Sequence, residues 1–267
     1  MKAAIYHEFG DPDVLKYEDV PDPQPGPGEI VVAVHSVTVN RVLDCAVRAG
    51  EQPQRGVKPP QVGGVDPAGI VSAVGEGVHG LAVGTRVAVL SRVPCLKCDH
   101  CAAGDFEGCT KSCMLGIGCW GGDADYVKVP ASIVVPIPDN LDFAEAAAVL
   151  RHGPMAYHLM FGVGKLQPGQ SVLIMGAAGG LGSTGIQIAK QAGATVIATA
   201  GSDERVAIGQ ELGADLVVNY NKEDLTQVVR DYTNGEGVHL VYENISSPDT
   251  WPKAFACLRK FGRLVTA

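Results

Sequence analysis

Four cysteines lie close together in the chain at a spacing that suits one metal ion. Four thiolates can surround a tetrahedral Zn²⁺, and four protein ligands leave no open position for a substrate. The bacterial ferredoxin pattern for an iron–sulfur cluster ends on a gap of three residues and a Cys-Pro pair. Here the last gap is seven residues, and Thr110 follows. The run therefore favours a structural zinc over an iron–sulfur cluster or a loop with spare thiols. Its predicted ligands are Cys95, Cys98, Cys101 and Cys109.

A glycine-rich segment follows the apolar run SVLIMG and precedes a helical stretch. Small residues let the backbone turn tightly there and approach a pyrophosphate, which binds the free N–H groups of a helix N-terminus. Because the segment lies between a predicted strand and a predicted helix, it indicates a dinucleotide site. The residues of this predicted turn are Gly176, Ala177, Ala178, Gly179, Gly180, Leu181 and Gly182.

The end of the next strand indicates which dinucleotide binds. NAD-binding proteins usually carry an acid there, which accepts from the ribose 2′-hydroxyl. This strand, TVIATA, ends in Ala200, and Asp203 and Glu204 come later, where they are expected to open the next helix. Arg205 lies in the same turn, where it either pairs with a 2′-phosphate or is a solvated helix residue. The pattern favours NADPH.

The segments around these sites predict an α/β fold in two parts. The first 140 residues contain short β-branched runs separated by Gly, Pro and Asp, which is typical of a β-rich domain. The composition becomes helical near Asp142, a residue suited to cap a helix N-terminus. After Gly169, five apolar strands alternate with four helices, the pattern of a parallel doubly wound sheet.

The composition excludes several classes of function. The chain has 267 residues and a formal net charge of −8, so it lacks the basic character of a nucleic-acid-binding protein. Its apolar runs are short and broken by Gly and Pro, so none is expected to span a bilayer. The opening MKAAIYHEFG lacks the apolar core of a signal peptide. Free thiols, as expected in the cytoplasm, are predicted at Cys45, Cys113, Cys119 and Cys257.

Together these features make the chain resemble the medium-chain dehydrogenase/reductase superfamily. The segments that carry the resemblance are PGPGEIVVAV, the four-cysteine run, GGDADYVKVP and GAAGGLGSTGIQIAKQAGA. The resemblance implies a GroES-like substrate domain over 1–145, with a structural zinc lobe at about 93–113, and a Rossmann NADP-binding domain over 146–267. It places the active site between the two domains. In the quinone oxidoreductase branch a Ser, a Lys and a Tyr hold the NADPH 2′-phosphate, and the matching positions are Ser202, Arg205 and Tyr220.

The resemblance also shows where a catalytic zinc would bind in the alcohol dehydrogenases. The matching ligand positions are Arg41, Val65 and Arg151, and Asp66 replaces a Glu. Neither Arg nor Val can ligate Zn²⁺. Zinc-free members of the superfamily typically reduce activated carbon–carbon double bonds, because hydride can add to the β-carbon while the charge moves to a carbonyl oxygen that hydrogen-bond donors stabilise.

Two interpretations of the arginines remain open. Arg41 and Arg151 either face the substrate, as enolate or carboxylate partners, or form salt bridges with Asp44 and Asp66 that close the empty metal pocket. In a shifted register the residues able to bind a catalytic zinc are instead Cys45, Asp66 and His152. The predicted catalytic residues are Asn40, Arg41, Asp66 and Arg151, and Asn244 is predicted beside the nicotinamide.

The sequence thus predicts an NADPH-dependent reductase of an activated alkene or a quinone, with one structural zinc and a small-molecule substrate. A zinc-dependent alcohol dehydrogenase with unusual ligands and a non-catalytic NADPH-binding protein are the alternatives. The resemblance also suggests a homodimer. The chain ends on the fifth predicted Rossmann strand, GRLVTA, where family members continue with a sixth. Ending there would leave the outer sheet edge unpaired, so we expect either a piece of a longer protein or something else that covers this edge.

Overall fold

The computed structural model describes residues 1–106 and 108–267. The chain divides into two compact units, Met1–Arg151 and His152–Ala267. The boundary between them lies within the helix Phe143–Tyr157, which also contains the predicted domain boundary at 145/146. Over the described ranges, every helix is too short or too polar to cross a lipid bilayer.

The first unit is built from antiparallel strands. One sheet has the strand order β10-β6-β5-β3-β9, a second has the order β2-β1-β4, and β7 pairs with β8. The strands are β1 (Lys2–Tyr6), β2 (Leu15–Asp19), β3 (Glu29–Val37), β4 (Gln61–Val62), β5 (Pro67–Val74), β6 (Arg86–Val89), β7 (Arg92–Val93), β8 (Cys113–Met114), β9 (Tyr126–Pro130) and β10 (Val134–Pro136). Alternate residues of β3, such as Ile30 and Val32, are fully buried, as expected for a sheet with one face on the core.

The helices of the first unit are short, except for the last. The α-helices are α1 (Ala46–Arg48), α2 (Asp99–Ala102) and α3 (Phe143–Tyr157), and the other turns are 3₁₀ helices at Pro12–Val14, Pro53–Arg55 and Ala131–Ile133 and a π-helix at Arg41–Cys45. Asp142 caps α3 as predicted, since its Oδ1 accepts from the Glu145 N–H at 2.7 Å and Glu145 Oε2 accepts from the Asp142 N–H at 3.3 Å. This reciprocal pair is a capping box.

The second unit is a parallel doubly wound sheet, which confirms the predicted fold class. Its strand order is β13-β12-β11-β14-β15. The strands are β11 (Ser171–Ile174), β12 (Thr195–Ala200), β13 (Leu216–Asn219), β14 (Val238–Glu243) and β15 (Leu258–Thr266), and the helices are α4 (Gly180–Gln191), α5 (Asp203–Glu211), α6 (Leu225–Tyr232) and α7 (Thr250–Ala256), with a π-helix at His158–Val163. From β11 the chain adds β12 and β13 on one side of the sheet and then adds β14 and β15 on the other side. Sheets of this kind bind ligands at the point where the strand order reverses.

The apolar run SVLIMG is buried on both sides of the sheet. Val172 and Ile174 pack into one hydrophobic cluster, while Leu173 and Met175 pack into another. Burying each such side chain contributes on the order of 2 kcal/mol. This two-sided burial explains why the strand reads as continuous apolar residues and not as an alternating pattern.

Two boundaries in the second unit differ from the sequence-based prediction. The apolar run SVLIMG predicts a first strand that ends at Gly176, but this strand ends two residues earlier, at Ile174. The composition of DTWPKAFACLRK predicts a helix that extends to Lys260, but β15 begins at Leu258, which pairs with Val238 of β14. Here sheet pairing outweighs the helical propensity of these residues, which is worth only a few tenths of a kcal/mol each.

Candidate functional site

The glycine turn between β11 and α4 has the close backbone packing that a phosphate-binding loop needs. A Cβ on Gly182 would lie 2.0 Å from the carbonyl oxygen of Gly176, and Gly176 itself has a φ of +80°. No side chain caps α4, whose N-cap is Gly179. The first N–H groups of a helix have no intrahelical acceptor, so those of α4 can donate to a phosphate.

His152 packs directly against this turn within the second unit. A Cβ on Gly180 would lie 2.2 Å from His152 Nε2. The shifted zinc register makes His152 a candidate metal ligand, and its place beside the glycine turn was not predicted. No local pattern could have indicated it, because the contact joins the middle of one helix to the start of the next.

Three predicted cofactor residues meet at the carboxyl end of β12. Ser202 is the N-cap of α5, where its hydroxyl accepts from the Arg205 N–H at 3.4 Å. The Tyr220 hydroxyl lies over Gly201, within 2.5 Å of where a Cβ would be. The side chain of Arg205 is exposed in the same turn. The tertiary structure therefore brings a hydroxyl, a phenol and an arginine together at the carboxyl end of β12.

We call the group of Ser202, Arg205 and Tyr220 at the end of β12 the cofactor corner. The nearest acid, Asp203, already accepts two hydrogen bonds from other side chains. Asp203 accepts from Asn219 Nδ2 at 2.8 Å and from Lys222 Nζ at 2.5 Å. The hydrogen bond from Lys222 is the largest cause that lowers the pKa of Asp203. Lys222 was missed in the sequence analysis, although a lysine two residues after Tyr220 was a usable signal. It adds a second cation to the corner.

The segment after β14 is held by a buried carboxylate. Glu243 is fully buried and accepts from the backbone N–H groups of Ile245 and Ser246 at 3.1 and 2.9 Å and from Thr250 Oγ1 at 3.1 Å. These hydrogen bonds satisfy a polar group that would otherwise be costly to bury. Glu243 was not predicted as a functional residue, and its role is to fix the segment that carries Asn244.

Asn244 has a buried oxygen that no described residue satisfies. Its Nδ2 donates to the Met175 carbonyl at 3.2 Å, which ties it to the end of β11. Its Oδ1 is buried without a hydrogen-bond partner among the described residues. Such groups are rare in native structures and call for an explanation. The donor groups of a bound nicotinamide nucleotide, its carboxamide or ribose hydroxyls, would satisfy this atom.

In the first unit, Arg151 pairs with the buried carboxylate of Asp66. Arg151 Nε lies 3.8 Å from Asp66 Oδ2, and a terminal nitrogen of Arg151 donates to Ser91 Oγ at 3.2 Å. Thr38 Oγ1 donates to the same carboxylate at 2.9 Å. Burial raises the pKa of Asp66, and the charge of Arg151 opposes that rise. Arg151 therefore forms the salt bridge with Asp66 that is expected if the arginines close the empty metal pocket.

A second pair of acids lies close to this ion pair. Asp44 accepts from the backbone N–H groups of Asn40 at 2.6 Å and Gly64 at 3.1 Å. Burial raises the pKa of Asp44, and the charge of Arg151 acts in the opposite direction. Burial and the neighbouring Asp44 raise the pKa of Asp123 to about 6. Asp123 was missed in the sequence analysis, since nothing in GGDADY distinguishes the half-buried Asp123 from the exposed Asp125.

Arg41 and Asn40 have other surroundings. Arg41 is exposed and lines an open cavity of about 430 Å³ with Arg48, Cys45 and Glu51. The Asn40 side chain caps the π-helix, because its Oδ1 accepts from the N–H groups of the second and third residues after it, at 3.0 Å each. The structure thus shows a local capping contact for Asn40 and a surface position for Arg41.

Val65 is fully buried in a small apolar cluster. Its neighbours there are Leu43, Val47 and Ile117. The position that the resemblance assigns to a histidine ligand is therefore part of a hydrophobic core, beside Asp66. An apolar side chain packed in this way offers no donor atom to a metal.

The four cysteines converge as one group. All four sulfur atoms lie within 4.8 Å of one another, and the Sγ atoms of Cys95 and Cys98 lie 3.9 and 3.5 Å from that of Cys101. Sulfur ligands about 2.3 Å from a tetrahedral zinc are separated by roughly 3.8 Å. The backbone N–H of Lys97 is the largest cause that lowers the pKa of Cys95 to about 6. The donor set and its spacing fit a structural Zn²⁺.

Comparisons with known proteins identify the class. Residues 26–139 match the alcohol dehydrogenase GroES-like domain, and residues 180–267 match the zinc-binding dehydrogenase family. The chain is 34% identical over 265 residues to a 2-haloacrylate reductase of Burkholderia sp, an alignment that covers 98% of this chain and 71% of the relative. The chain therefore belongs to the medium-chain dehydrogenase/reductase superfamily, and it is an NAD(P)-dependent oxidoreductase.

Solved structures of the superfamily agree with this assignment. The chain superposes on an NAD-dependent alcohol dehydrogenase with a TM-score of 0.91 and 36% identity, over 99% of this chain and 76% of the other. It superposes on a quinone oxidoreductase of Pseudomonas syringae pv. Tomato DC3000 with a TM-score of 0.79 and 29% identity, over 98% of this chain and 72% of the other.

Proposed function

We propose that this chain is an NADPH-dependent reductase of an activated carbon–carbon double bond or a quinone, and that it works without a catalytic zinc. The observation that carries the proposal is the position of Arg151, whose guanidinium lies 3.8 Å from the buried Asp66 carboxylate. In this place the alcohol dehydrogenases hold metal ligands. A guanidinium supplies a fixed positive charge and hydrogen-bond donors, but it cannot coordinate a metal.

Arg151 suits the charge that develops in such a reduction. Bound NADPH supplies a hydride to the β-carbon of the substrate, and the negative charge then develops on the carbonyl oxygen. Arg151 carries five N–H donors, more than its contacts with Ser91 and Asp66 use. A well-placed donor to such an oxygen contributes on the order of 3 kcal/mol. Asp66 would hold the guanidinium in position, and Thr38 would in turn orient Asp66.

The second unit supports NADPH over NADH. The corner formed by Ser202, Arg205, Tyr220 and Lys222 offers two cations and two hydroxyl groups. Asp203, the acid that could accept from a ribose 2′-hydroxyl, is bound to Lys222 and Asn219. A 2′-phosphate would find charge-assisted hydrogen bonds there. The unpaired Oδ1 of Asn244 supports a nicotinamide position next to the end of β11.

The relatives support the same substrate class. The 2-haloacrylate reductase and the quinone oxidoreductase are named for electron-poor alkenes and quinones. The alcohol dehydrogenases among the relatives favour a second candidate, oxidation of an alcohol with two zinc ions per chain. Zinc in the four-cysteine group would have a structural role in either case, since four protein ligands leave no open position.

Metal content and turnover together test the proposal. We expect one zinc per purified chain by elemental analysis, and oxidation of NADPH at 340 nm with 2-haloacrylate, an enone or a quinone. Two zinc ions per chain and NAD(P)-dependent oxidation of an alcohol would instead support the second candidate. Tight NADPH binding with no turnover on any of these compounds would contradict both and favour a binding protein.

A further inference from the structure

Cys113 and Cys119 form a second sulfur pair outside the four-cysteine group. Their Sγ atoms lie 2.6 Å apart, and both side chains are partly exposed. Cys113 begins β8, and the chain returns through a turn in which Gly116 has a φ of +73°. An isolated bridge between Leu115 and Cys119 closes the turn. The two thiols were predicted to be free, and the fold holds them against each other.

We propose that Cys113 and Cys119 are a reversible thiol–disulfide pair that hydrogen peroxide oxidises, and that the bond locks the loop 113–121 beside Asp66. Bonded sulfur atoms lie about 2.05 Å apart, so the observed pair needs little movement to join. Both sulfurs are on one short loop, so no large segment must be rearranged.

The oxidation balances in two steps. The Cys113 thiolate attacks one oxygen of the peroxide, the O–O bond breaks, and water leaves after protonation, so that Cys113 becomes a sulfenic acid. The Cys119 sulfur then attacks the Cys113 sulfur, the S–S bond forms, and a second water leaves. Two thiols lose two electrons and two protons, and one peroxide becomes two waters. A small dithiol reverses the change by thiol–disulfide exchange.

The electrostatics of the pair match this order of attack. The hydrogen bond from the Cys119 thiol lowers the pKa of Cys113 to about 7, and the same contact and burial raise the pKa of Cys119. Cys113 is therefore the sulfur with thiolate character, which is the reactive form. Cys119 keeps its proton until the second step.

The loop that the bond would close packs against the chain that precedes Asp66. The N–H of Gly121 donates to the Val62 carbonyl at 2.9 Å. A Cβ on Gly116 would lie 3.0 Å from the carbonyl carbon of Gly64. Ile117, inside the loop, is in the buried cluster with Val65. Locking the loop would therefore restrain the residues that position Asp66.

Peptide mapping separates this pair from the zinc ligands. Trypsin cleaves after Lys and Arg, and residues Ser112–Lys128 form one peptide that contains Cys113 and Cys119 and no other cysteine. The four zinc-site cysteines are in the peptides Val93–Lys97 and Cys98–Lys111. After treatment with peroxide and alkylation under denaturing conditions, we expect Ser112–Lys128 to be unalkylated and lighter by two hydrogen atoms. Dithiothreitol should restore alkylation at both sites.

Two results would overturn the pairing. One is full alkylation of Cys113 and Cys119 at a peroxide dose that oxidises the partly exposed Cys45. The other is a disulfide between either residue and a zinc ligand. In C119S we expect a sulfenic acid at Cys113 that dimedone traps, because the second sulfur is missing. A disulfide that still forms at Cys113 in C119S would show a different partner and contradict the proposal.

Amide hydrogen exchange tests the locking. In the oxidised protein we expect the Gly121 and Gly122 amides, which donate to β4 and to Gly64, to exchange about tenfold more slowly, because loop opening is suppressed. The Met175 amide of the second unit, which donates to the Tyr242 carbonyl at 3.0 Å, is the internal reference and should be unchanged. Equal exchange of Gly121 and Gly122 in both redox states would refute the locking.

Discussion

The Arg151 guanidinium acts on two acids of the first unit, the buried Asp66 and the half-buried Asp44. Its charge opposes the rise that burial causes in the pKa of each acid. Without Arg151, each carboxyl group would be more protonated or would remain as an uncompensated charge, which is unfavourable inside a protein. The same guanidinium is a quarter exposed, so it is also accessible to a substrate. Its structural and chemical roles can be separated by substitution.

We expect Arg151→Met to lower turnover by roughly a hundredfold or more, since the donor to the developing oxyanion is lost. NADPH affinity should be unchanged, because Arg151 is not among the residues proposed to bind the cofactor. The cost in stability should be about 1–2 kcal/mol from the unpaired carboxylate. Arg151→Lys, which keeps the charge but not the planar fork, should have intermediate activity. Wild-type turnover in a folded Arg151→Met protein would contradict the proposed role.

Asp123 gives the first unit a specific dependence on pH. Its pKa is raised from 3.8 to about 6, so the folded state binds a proton more tightly than the unfolded state does. The stability that protonated Asp123 contributes is therefore present at low pH and is lost as the pH rises from about 4 to about 6. A shift of this size corresponds to on the order of 3 kcal/mol.

Asp123→Asn should therefore be more stable than the wild type at pH 7 and nearly equal to it at about pH 4. Urea unfolding at the two pH values measures the difference. The exposed Asp13 offers a matched control, and Asp13→Asn should not change stability at either pH. A difference between Asp123→Asn and wild type that does not vary with pH would show that the Asp123 carboxyl group titrates normally.

Among the elements, the β11–α4 unit does the most to position the cofactor. The strand is held on both faces by buried side chains, and the turn after it brings Gly182 against the Gly176 carbonyl. Asn244 also donates to Met175 at the start of this turn. Because Gly182 packs against a backbone carbonyl, the shape of the turn depends on the absence of a side chain at this position.

Gly182→Ala should weaken NADPH binding at least tenfold and cost about 1–3 kcal/mol of stability, because the new methyl group would lie 2.0 Å from a carbonyl oxygen. Gly179→Ala is the control for folding, since its methyl group would meet nothing closer than 3.4 Å. Thermal unfolding and a fluorescence titration with NADPH measure the two effects. Equal unfolding temperatures for the two variants would show that the turn can relax around a methyl group.

At the scale of the whole molecule, each unit has its own hydrophobic core and its own candidate ligand. The four-cysteine group belongs to the first unit and the glycine turn to the second. A structural zinc contributes folding energy to the segment that it closes. Loss of the metal should therefore have local consequences.

We expect a chelator to remove the zinc and to speed amide exchange in peptides from residues 93–113, because the metal would link four separate points of this lobe. Peptides from β11 to β15 should exchange at the same rate with and without metal. Cys109→Ser should reproduce the effect of the chelator, and Cys45→Ser should retain the zinc. Unchanged exchange in the lobe after removal of the metal would contradict a structural role.

The sequence by itself determined the features that depend on neighbours along the chain. These are the strand–helix alternation of the second unit, its glycine turn, the capping box at Asp142 and the chelating spacing of the four cysteines. Each is encoded within a short window, because helix periodicity, turn formation and metal ligation by nearby thiols are local properties. The resemblance to the medium-chain dehydrogenase/reductase superfamily follows from the same short segments of sequence.

Only the tertiary structure decided which distant residues become partners. It paired Arg151 with Asp66, placed Asp123 beside Asp44 and joined Lys222 to Asp203. These contacts depend on strand register and on the packing of loops, and a one-residue change in register would move every side chain of a strand to the opposite face. The sequence shows which charged residues and thiols are present. Their burial and the distances between them, which determine their reactivity, arise only when the sheets assemble.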